Sequence, residues 1–322
     1  MLTEAQLDRA RGVLVGLAAG DALGAPYEFG PARGPELPIE MTGGGGLNWE
    51  PGEWTDDTSM AIVIARVAAA AADRADLLST PAQDRIVAEW ADWALSAPDV
   101  GIQTREVLAV ARSTPPVTAA AAVRASAQQH ARTGRTAGNG SLMRTSPVAL
   151  AYLGDEDGLV QAAIDLSKLT HFDEAAEEAC VLWCTAIRHA VLTGELDARV
   201  GLDRVPGPRR DVWSARITEA AAGRPADFPN NGWVVHAFQA AWSAIATTSA
   251  GERNGHVARA LDAAARCGWD TDTVAAIAGS LVGAAYGATQ VPAAWTTLLH
   301  GWPGLDADGL AALATSIVEH RS

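Results

Sequence analysis

Apolar residues recur every three to four positions through most of the chain, in alanine-rich segments at 4–19, 58–74, 81–95, 117–130, 173–192, 212–222, 234–246, 256–266 and 272–288. That period lines one face of an α-helix, so each segment is expected to be helical. Strict alternation of β-branched residues is missing and the Gly/Pro clusters separate helical patterns, which makes all-α the expected fold class. Glycine gathers at MTGGGG (41–46) and TAGNGS (136–141), each shortly before a helix start. Proline and arginine gather at 199–210, and GRPADFPNNG follows at 223–232. This stretch reads as an interdomain linker or as surface loops. Because acidic motifs fall on both sides of it, a single domain over 1–322 is expected.

Two helix starts depart from the amphipathic pattern in the same way. In WDTDTVAAIAGSLVGAAYG (269–287), Asp270, Asp272 and Thr273 stand at the mouth of a run that stays apolar to its end. Asp270 can cap that helix, and an anion in a first turn interacts favourably with the helix dipole by ~0.3–1 kcal/mol, so capping alone accounts for one such pair. Behind it Gly279, Gly283 and Gly287 recur at intervals that let another backbone approach closely. Acids at the floor of a packed core are costly without a counter-cation, so they face water or a cation sits among them. EWTDDTSMAIVIARVAAAA (53–71) repeats the construction with Thr55, Asp56, Asp57 and Thr58. If the two starts face one another, carboxylate and threonine oxygens converge. Such hard ligands suit Mg²⁺ or Mn²⁺ rather than zinc, and two such ions ~3.5–4 Å apart can activate a water.

Other polar positions carry candidate chemistry with plainer alternatives beside it. In RGVLVGLAAGDALGAPYEFG (11–30), Asp21 reads as a structural carboxylate binding loop amides in a glycine-punctuated turn. Glu28, after Gly24 and Pro26, can act as a general base or orient a water if it faces the metals. In AGNGSLMRTSPVAL (137–150), Gly138, Asn139, Gly140 and Ser141 form an N–H-rich loop of the kind that receives phosphate. Arg144 is open to an anion or to an internal salt bridge. In LTHFDEAAEEAC (169–180), Thr170 and Asp173 have capping-box spacing, which makes Thr170 an N-cap and puts His171 in the first turn, within reach of a ligand. Asp99 and Gly101 in DVGIQTREVL (99–108) precede another helix, with the same two readings.

Composition narrows the partners. With 24 basic against 38 acidic residues the net charge is −14, which works against sequence-independent binding to a nucleic-acid backbone. Three cysteines, an odd number, fit a reducing compartment, and Cys180 and Cys184 read as core residues in place of a metal pair. The longest apolar run, 274–288, is shorter than the ~20 residues of a membrane span, and the N-terminus MLTEAQLDRA lacks a signal-peptide pattern. A soluble, cytoplasmic protein is expected.

GDALGAPYE (20–28), WTDDT (54–58), GNGSLMR (138–144), LTH (169–171) and DTDT (270–273) with its following AAIAGSLVGAAYG helix occur in one order over most of the chain. Together they resemble the ADP-ribosylglycohydrolase family. The resemblance implies a compact, orthogonal all-α domain with a binuclear Mg²⁺ or Mn²⁺ centre held by Thr55, Asp56, Asp57, Asp270, Asp272 and Thr273. It implies Glu28 and the metal-bound carboxylate of Asp57 as catalytic groups, and Asp99 with Gly101 at the ribose. Gly138, Asn139, Gly140, Ser141 and His171 would hold the diphosphate and distal parts of ADP-ribose. The implied reaction is hydrolysis of the glycosidic bond linking ADP-ribose to a protein side chain or small molecule. Trp269 departs from the family pattern, in which many members carry a small residue there. A large ring beside the metals would narrow the acceptor side or stack on a base. Two competing readings are a binuclear phosphohydrolase acting on a nucleotide, which the ligand types alone leave open, and a non-catalytic structural member, against which the full ligand set argues.

Overall fold

The computed structural model describes residues 2–70, 76–113, 115–249 and 255–319. Fourteen α-helices lie among the described residues: α1 (Glu4–Gly24), α2 (Asp56–Ala69), α3 (Thr80–Trp93), α4 (Ile102–Arg112), α5 (Ala119–Thr133), α6 (Ser146–Ala151), α7 (Glu156–Lys168), α8 (Glu174–Thr193), α9 (Gly207–Ala222), α10 (Val234–Thr247), α11 (His256–Ala265), α12 (Thr271–Tyr286), α13 (Ala293–Thr296) and α14 (Ala307–Glu319). The fold is all-α, apart from a two-stranded antiparallel hairpin, β1 (His300–Gly301) with β2 (Leu305–Asp306), that the absence of alternation did not predict. None of the described helices is long and apolar enough to cross a membrane.

Local chemistry sets the helix ends. Thr3 and Gln6 form a reciprocal capping box at the start of α1. Gly134 and Gly194 stop α5 and α8 in the left-handed conformation, at φ +59° and +80°. Several expected boundaries shift. The helix expected over 4–19 runs on to Gly24, which puts Asp21 in its last turn rather than in a loop. The one expected over 58–74 begins at Asp56 and ends at Ala69, and positions 71–74 lie outside the described residues. The stretch 199–232 is largely ordered by α9, whose Trp213 is fully buried and donates its indole N–H to Glu178 at 2.7 Å. α7 and α14 were not expected. Both carry helical periodicity, and α7 is capped by Asp155, which accepts from the Gly158 amide at 3.0 Å.

At the centre α1 and α12 lie antiparallel in backbone contact. Gly12, Gly16, Gly20 and Gly24 of α1 face Gly283, Gly279, Ala275 and Asp272 of α12 in that order. A Cβ built on Gly16 would stand 2.3 Å from the Gly279 carbonyl oxygen, and one built on Gly279 would stand 2.0 Å from the Gly16 oxygen. No side chain fits between the two helices, so their ends are fixed relative to each other. The α2 entry is held from the other side by the C-terminal hairpin. Trp54, 2% exposed, donates its indole N–H to the Trp302 carbonyl at 3.0 Å, and its amide donates to His300 at 3.1 Å.

Candidate metal and substrate site

The two acidic helix starts meet. Thr55 and Thr273 both donate their hydroxyls to one oxygen of Asp57, at 3.1 and 3.5 Å, although Thr273 is 216 positions away in the chain. The other carboxylate oxygen of Asp57, and one oxygen of Asp272, are buried with no hydrogen-bond partner. Carboxylate oxygens of Asp21, Asp57 and Asp272 lie within 4.8 Å of one another, and so do those of Glu28, Asp270 and Asp272, which makes Asp272 common to both groups. Asp21 is already occupied: it accepts from the Thr55 amide (2.9 Å), the Thr58 amide (3.0 Å) and the Thr58 hydroxyl (2.6 Å). It is therefore the structural carboxylate the sequence suggested, acting from a helix to clamp the start of α2.

Side chains around these acids fix their orientation. Asn139 donates to Asp270 at 2.6 Å and to the Asn231 carbonyl at 2.8 Å. Asn231 accepts the Asp270 amide at 3.2 Å and donates to the Gly268 carbonyl at 2.8 Å. No sequence motif singled out Asn231, since its neighbourhood reads only as a Pro/Asn/Gly loop. Asp56 accepts from the Gly101 amide at 3.3 Å, which joins the 99–101 segment to the site. Trp269 is 56% exposed at φ +61°; its carbonyl accepts the Phe29 amide at 2.6 Å and its amide donates to Gly30 at 2.7 Å. This two-way pairing ties the segment carrying Glu28 to the segment carrying Asp270.

Burial and mutual repulsion dominate the electrostatics. Burial first, then the charges of Asp270, Asp99, Asp56 and Asp21, push the Glu28 carboxyl up to about 9. Burial, Asp99 and Asp21 raise Asp56 to about 8. Asp57 and Asp272 are raised well above the carboxylate range by burial and by neighbouring acids. Arg144 is a cation that Asp56 feels, but burial and the other acids outweigh it there. An all-oxygen donor set, two orphaned buried oxygens and a strong excess of negative charge fit hard divalent cations.

The glycine loop stands beside Asp270 through Asn139. Its amides at Gly140 and Ser141 precede the first bond of a one-turn 3₁₀ segment, Leu142 N–H to Asn139 O at 2.9 Å. The Ser141 hydroxyl turns inward to Ser167, at 3.0 Å. His171 is 2% exposed beneath the loop, and a Cβ on Gly138 or Gly140 would lie 3.2 or 3.1 Å from its Nε2. One expectation fails here, and one of the two alternatives for Arg144 drops out. Thr170 does not cap α8, which Asp173 caps through the Ala175 amide at 2.9 Å. Arg144 makes no salt bridge among the described residues; it is 1% exposed, stacked 4.0 Å over the Trp90 ring and donating to Thr170. Beyond Gly138 opens a cavity of about 740 Å³ whose walls include Gln103, His130, Arg135, Arg216 and Trp233.

Helices that abut through glycine and deliver facing acidic starts beside an N–H-rich loop define the class of protein. A solved structure described as an ADP-ribosylglycohydrolase-related protein complex superposes with a TM-score of 0.71 at 26% identity, covering 99% of this chain and 100% of that one. The ADP-ribosylglycohydrolase sequence profile matches residues 2–322, and the chain belongs to that family of hydrolases. It is 30% identical over 308 residues to the ADP-ribosyl-[dinitrogen reductase] glycohydrolase of Rhodospirillum rubrum, covering 91% of this chain and 90% of that protein. It is 29% identical to the ADP-ribosylarginine hydrolase Tri1 of Serratia proteamaculans (90% and 74% covered) and 26% identical to human ADP-ribosylhydrolase ARH3 (93% and 91%).

Proposed function

We propose that the chain, acting as one domain, hydrolyses the glycosidic bond at the anomeric carbon that joins ADP-ribose to a protein side chain or small molecule, with two Mg²⁺ or Mn²⁺ ions at the acidic centre. The observation that carries the reading is the contact between the two helix starts at Asp57, which leaves oxygens of Asp57 and Asp272 buried and bare. Thr55, Asp56, Asp57, Asp270, Asp272 and Thr273 would hold the ions. Bound there, divalent cations supply the positive charge that grips sugar hydroxyls and acidifies a water.

The chain's own groups do the rest. Glu28, half-buried beside Asp270 and Asp272, takes the proton of the attacking water, and Asp57 is the second proton-managing carboxylate. Without cations Glu28 keeps its own proton at neutral pH, so it becomes a base only when the surrounding negative charge is neutralised. Asp99 and Gly101 meet the ribose. The amides of Gly138, Gly140 and Ser141, with His171, meet the diphosphate; Asn139, whose own amide donates to the Gly232 carbonyl at 3.1 Å, holds the loop in place, and the cavity beyond Gly138 has room for the distal nucleoside. The buried, unbridged cysteines fit a reducing compartment such as the cytoplasm.

A panel of ADP-ribosyl-arginine, ADP-ribosyl-serine and O-acetyl-ADP-ribose, incubated with Mg²⁺, Mn²⁺ or chelator, tests the reading. Metal-dependent release of free ADP-ribose from at least one linkage is expected. Release of AMP or phosphate in its place would identify a phosphohydrolase, and full release in chelator would remove the ions from the mechanism.

A further inference from the structure

His171 Nδ1 lies 2.7 Å from the Thr170 hydroxyl oxygen, and that oxygen receives an Arg144 guanidinium N–H at 2.6 Å. A guanidinium has donors only, so the Thr170 oxygen is the acceptor in the second bond and its single proton remains for another partner. Thr170 is 0% exposed, and His171 Nδ1 is the acceptor its hydroxyl meets among the described residues. A proton on Nδ1 would instead strand the Thr170 O–H in the interior, which buried hydroxyl groups avoid. The chain of donors therefore has one direction, from Arg144 through Thr170 to Nδ1, and the imidazole proton is left on Nε2. That nitrogen is the one beneath Gly138 and Gly140.

The surrounding contacts hold the chain rigid. Arg144 is pinned over Trp90 with its other terminal nitrogen toward Met60 Sδ at 3.7 Å. Gln103 donates to the Thr170 carbonyl at 2.8 Å, and the His171 amide donates to Ser167 at 2.8 Å. Burial, and then the Arg144 charge, keep the ring neutral by holding its pKa well below the usual value. We propose that Arg144 and Thr170 are positioning residues that hold His171 as its neutral Nε2–H tautomer, a fixed N–H donor to the diphosphate of the ligand. The ligand half of this inference rests on the functional reading above. The tautomer half rests on the hydrogen-bond chain alone.

The test is nitrogen-15 NMR of histidine rings in the full chain at pH 7, with the His171 signals assigned by their loss in His171→Asn. The native spectrum is expected to show Nε2 protonated and Nδ1 bare without ligand, and Thr170→Ser to preserve that pattern. Thr170→Val should mix the tautomers and weaken ADP-ribose binding, measured by calorimetry in Mg²⁺, about tenfold, the effect of one lost hydrogen bond to a charged group. In turnover the loss should fall on KM more than on kcat. A native Nδ1–H tautomer or imidazolium would overturn the relay. So would a Thr170→Val protein that keeps both the Nε2–H signal and native affinity. The expected tautomer without any ADP-ribose affinity would overturn the ligand half together with the functional reading.

Discussion

Asp57 accepts hydroxyls from both helix starts through one oxygen and leaves the other bare in the interior. Without cations that arrangement is a liability, since burial and the charges of Asp21, Asp56 and Asp270 favour its neutral form. With cations the same oxygen becomes a ligand. The substitution Asp57→Asn should separate the two states. In chelator the variant should melt a few degrees above the native protein, because an amide is neutral in both states whereas Asp57 must take up a proton to fold. In Mg²⁺ it should lose most of the metal-induced rise in Tm, and hydrolysis should fall by a factor on the order of 10³. Parallel calorimetric melts and ADP-ribose release measure both. A variant less stable than the native protein in chelator would mean that Asp57 serves packing rather than metal binding.

Among the elements, α1 and α12 decide whether the acids converge. Their glycines meet backbone to backbone, so any side chain at the contact forces the helices apart and carries Asp21 and Asp272 with them. At Gly20 a Cβ would stand 2.0 Å from the Ala275 carbonyl oxygen, while at Gly154 a Cβ meets nothing within 4 Å. Gly20→Ala should therefore cost at least ~2 kcal/mol by denaturant unfolding and weaken Mg²⁺ binding, whereas Gly154→Ala should stay within ~0.5 kcal/mol. Equal effects would sink the account of a glycine-fixed site. Half of this interface was legible in the sequence: the spacing of Gly279, Gly283 and Gly287 announced a close approach. The matching Gly12, Gly16 and Gly20 carried no such reading, and Gly24 was expected in a turn, because local spacing does not say which helix a face will meet. The acidic starts were legible for the opposite reason, since paired carboxylates entering an apolar run conflict with burial wherever the helix packs. Thr170 misled because a capping-box spacing is shared by residues that cap and residues that turn inward; Asp173 took the cap and Arg144 took Thr170. Asn231 had no local signal at all, and its role exists only once Gly268 and Asp270 fold against it.

At the scale of the whole molecule, the cluster couples folding to pH and to metal. Asp21, Asp56 and Glu28 are raised from 3.8, 3.8 and 4.5 to about 6, 8 and 9 in the metal-free fold. A carboxyl whose folded value is raised binds its proton more tightly in the native state, so its contribution is greatest at low pH and is lost as pH rises through the folded value. Buried His171 works in the other direction. Its lowered value makes the native state lose stability as pH falls below about 6.5, where the unfolded imidazole takes a proton. The two effects separate above neutrality: from about pH 7 the metal-free protein should go on losing Tm, because the unfolded chain has released protons that Asp56 and Glu28 still hold, and the loss should level off near pH 9 as they ionise. Saturating Mg²⁺ should flatten or reverse that slope, because cations bind the native cluster and compensate the charges that ionisation creates. The measurement is a series of thermal melts from pH 7 to 9 in chelator and in Mg²⁺. A metal-free Tm that climbs over this range would show the carboxylates to be relieved by solvent or by each other, leaving no charge for a cation to answer.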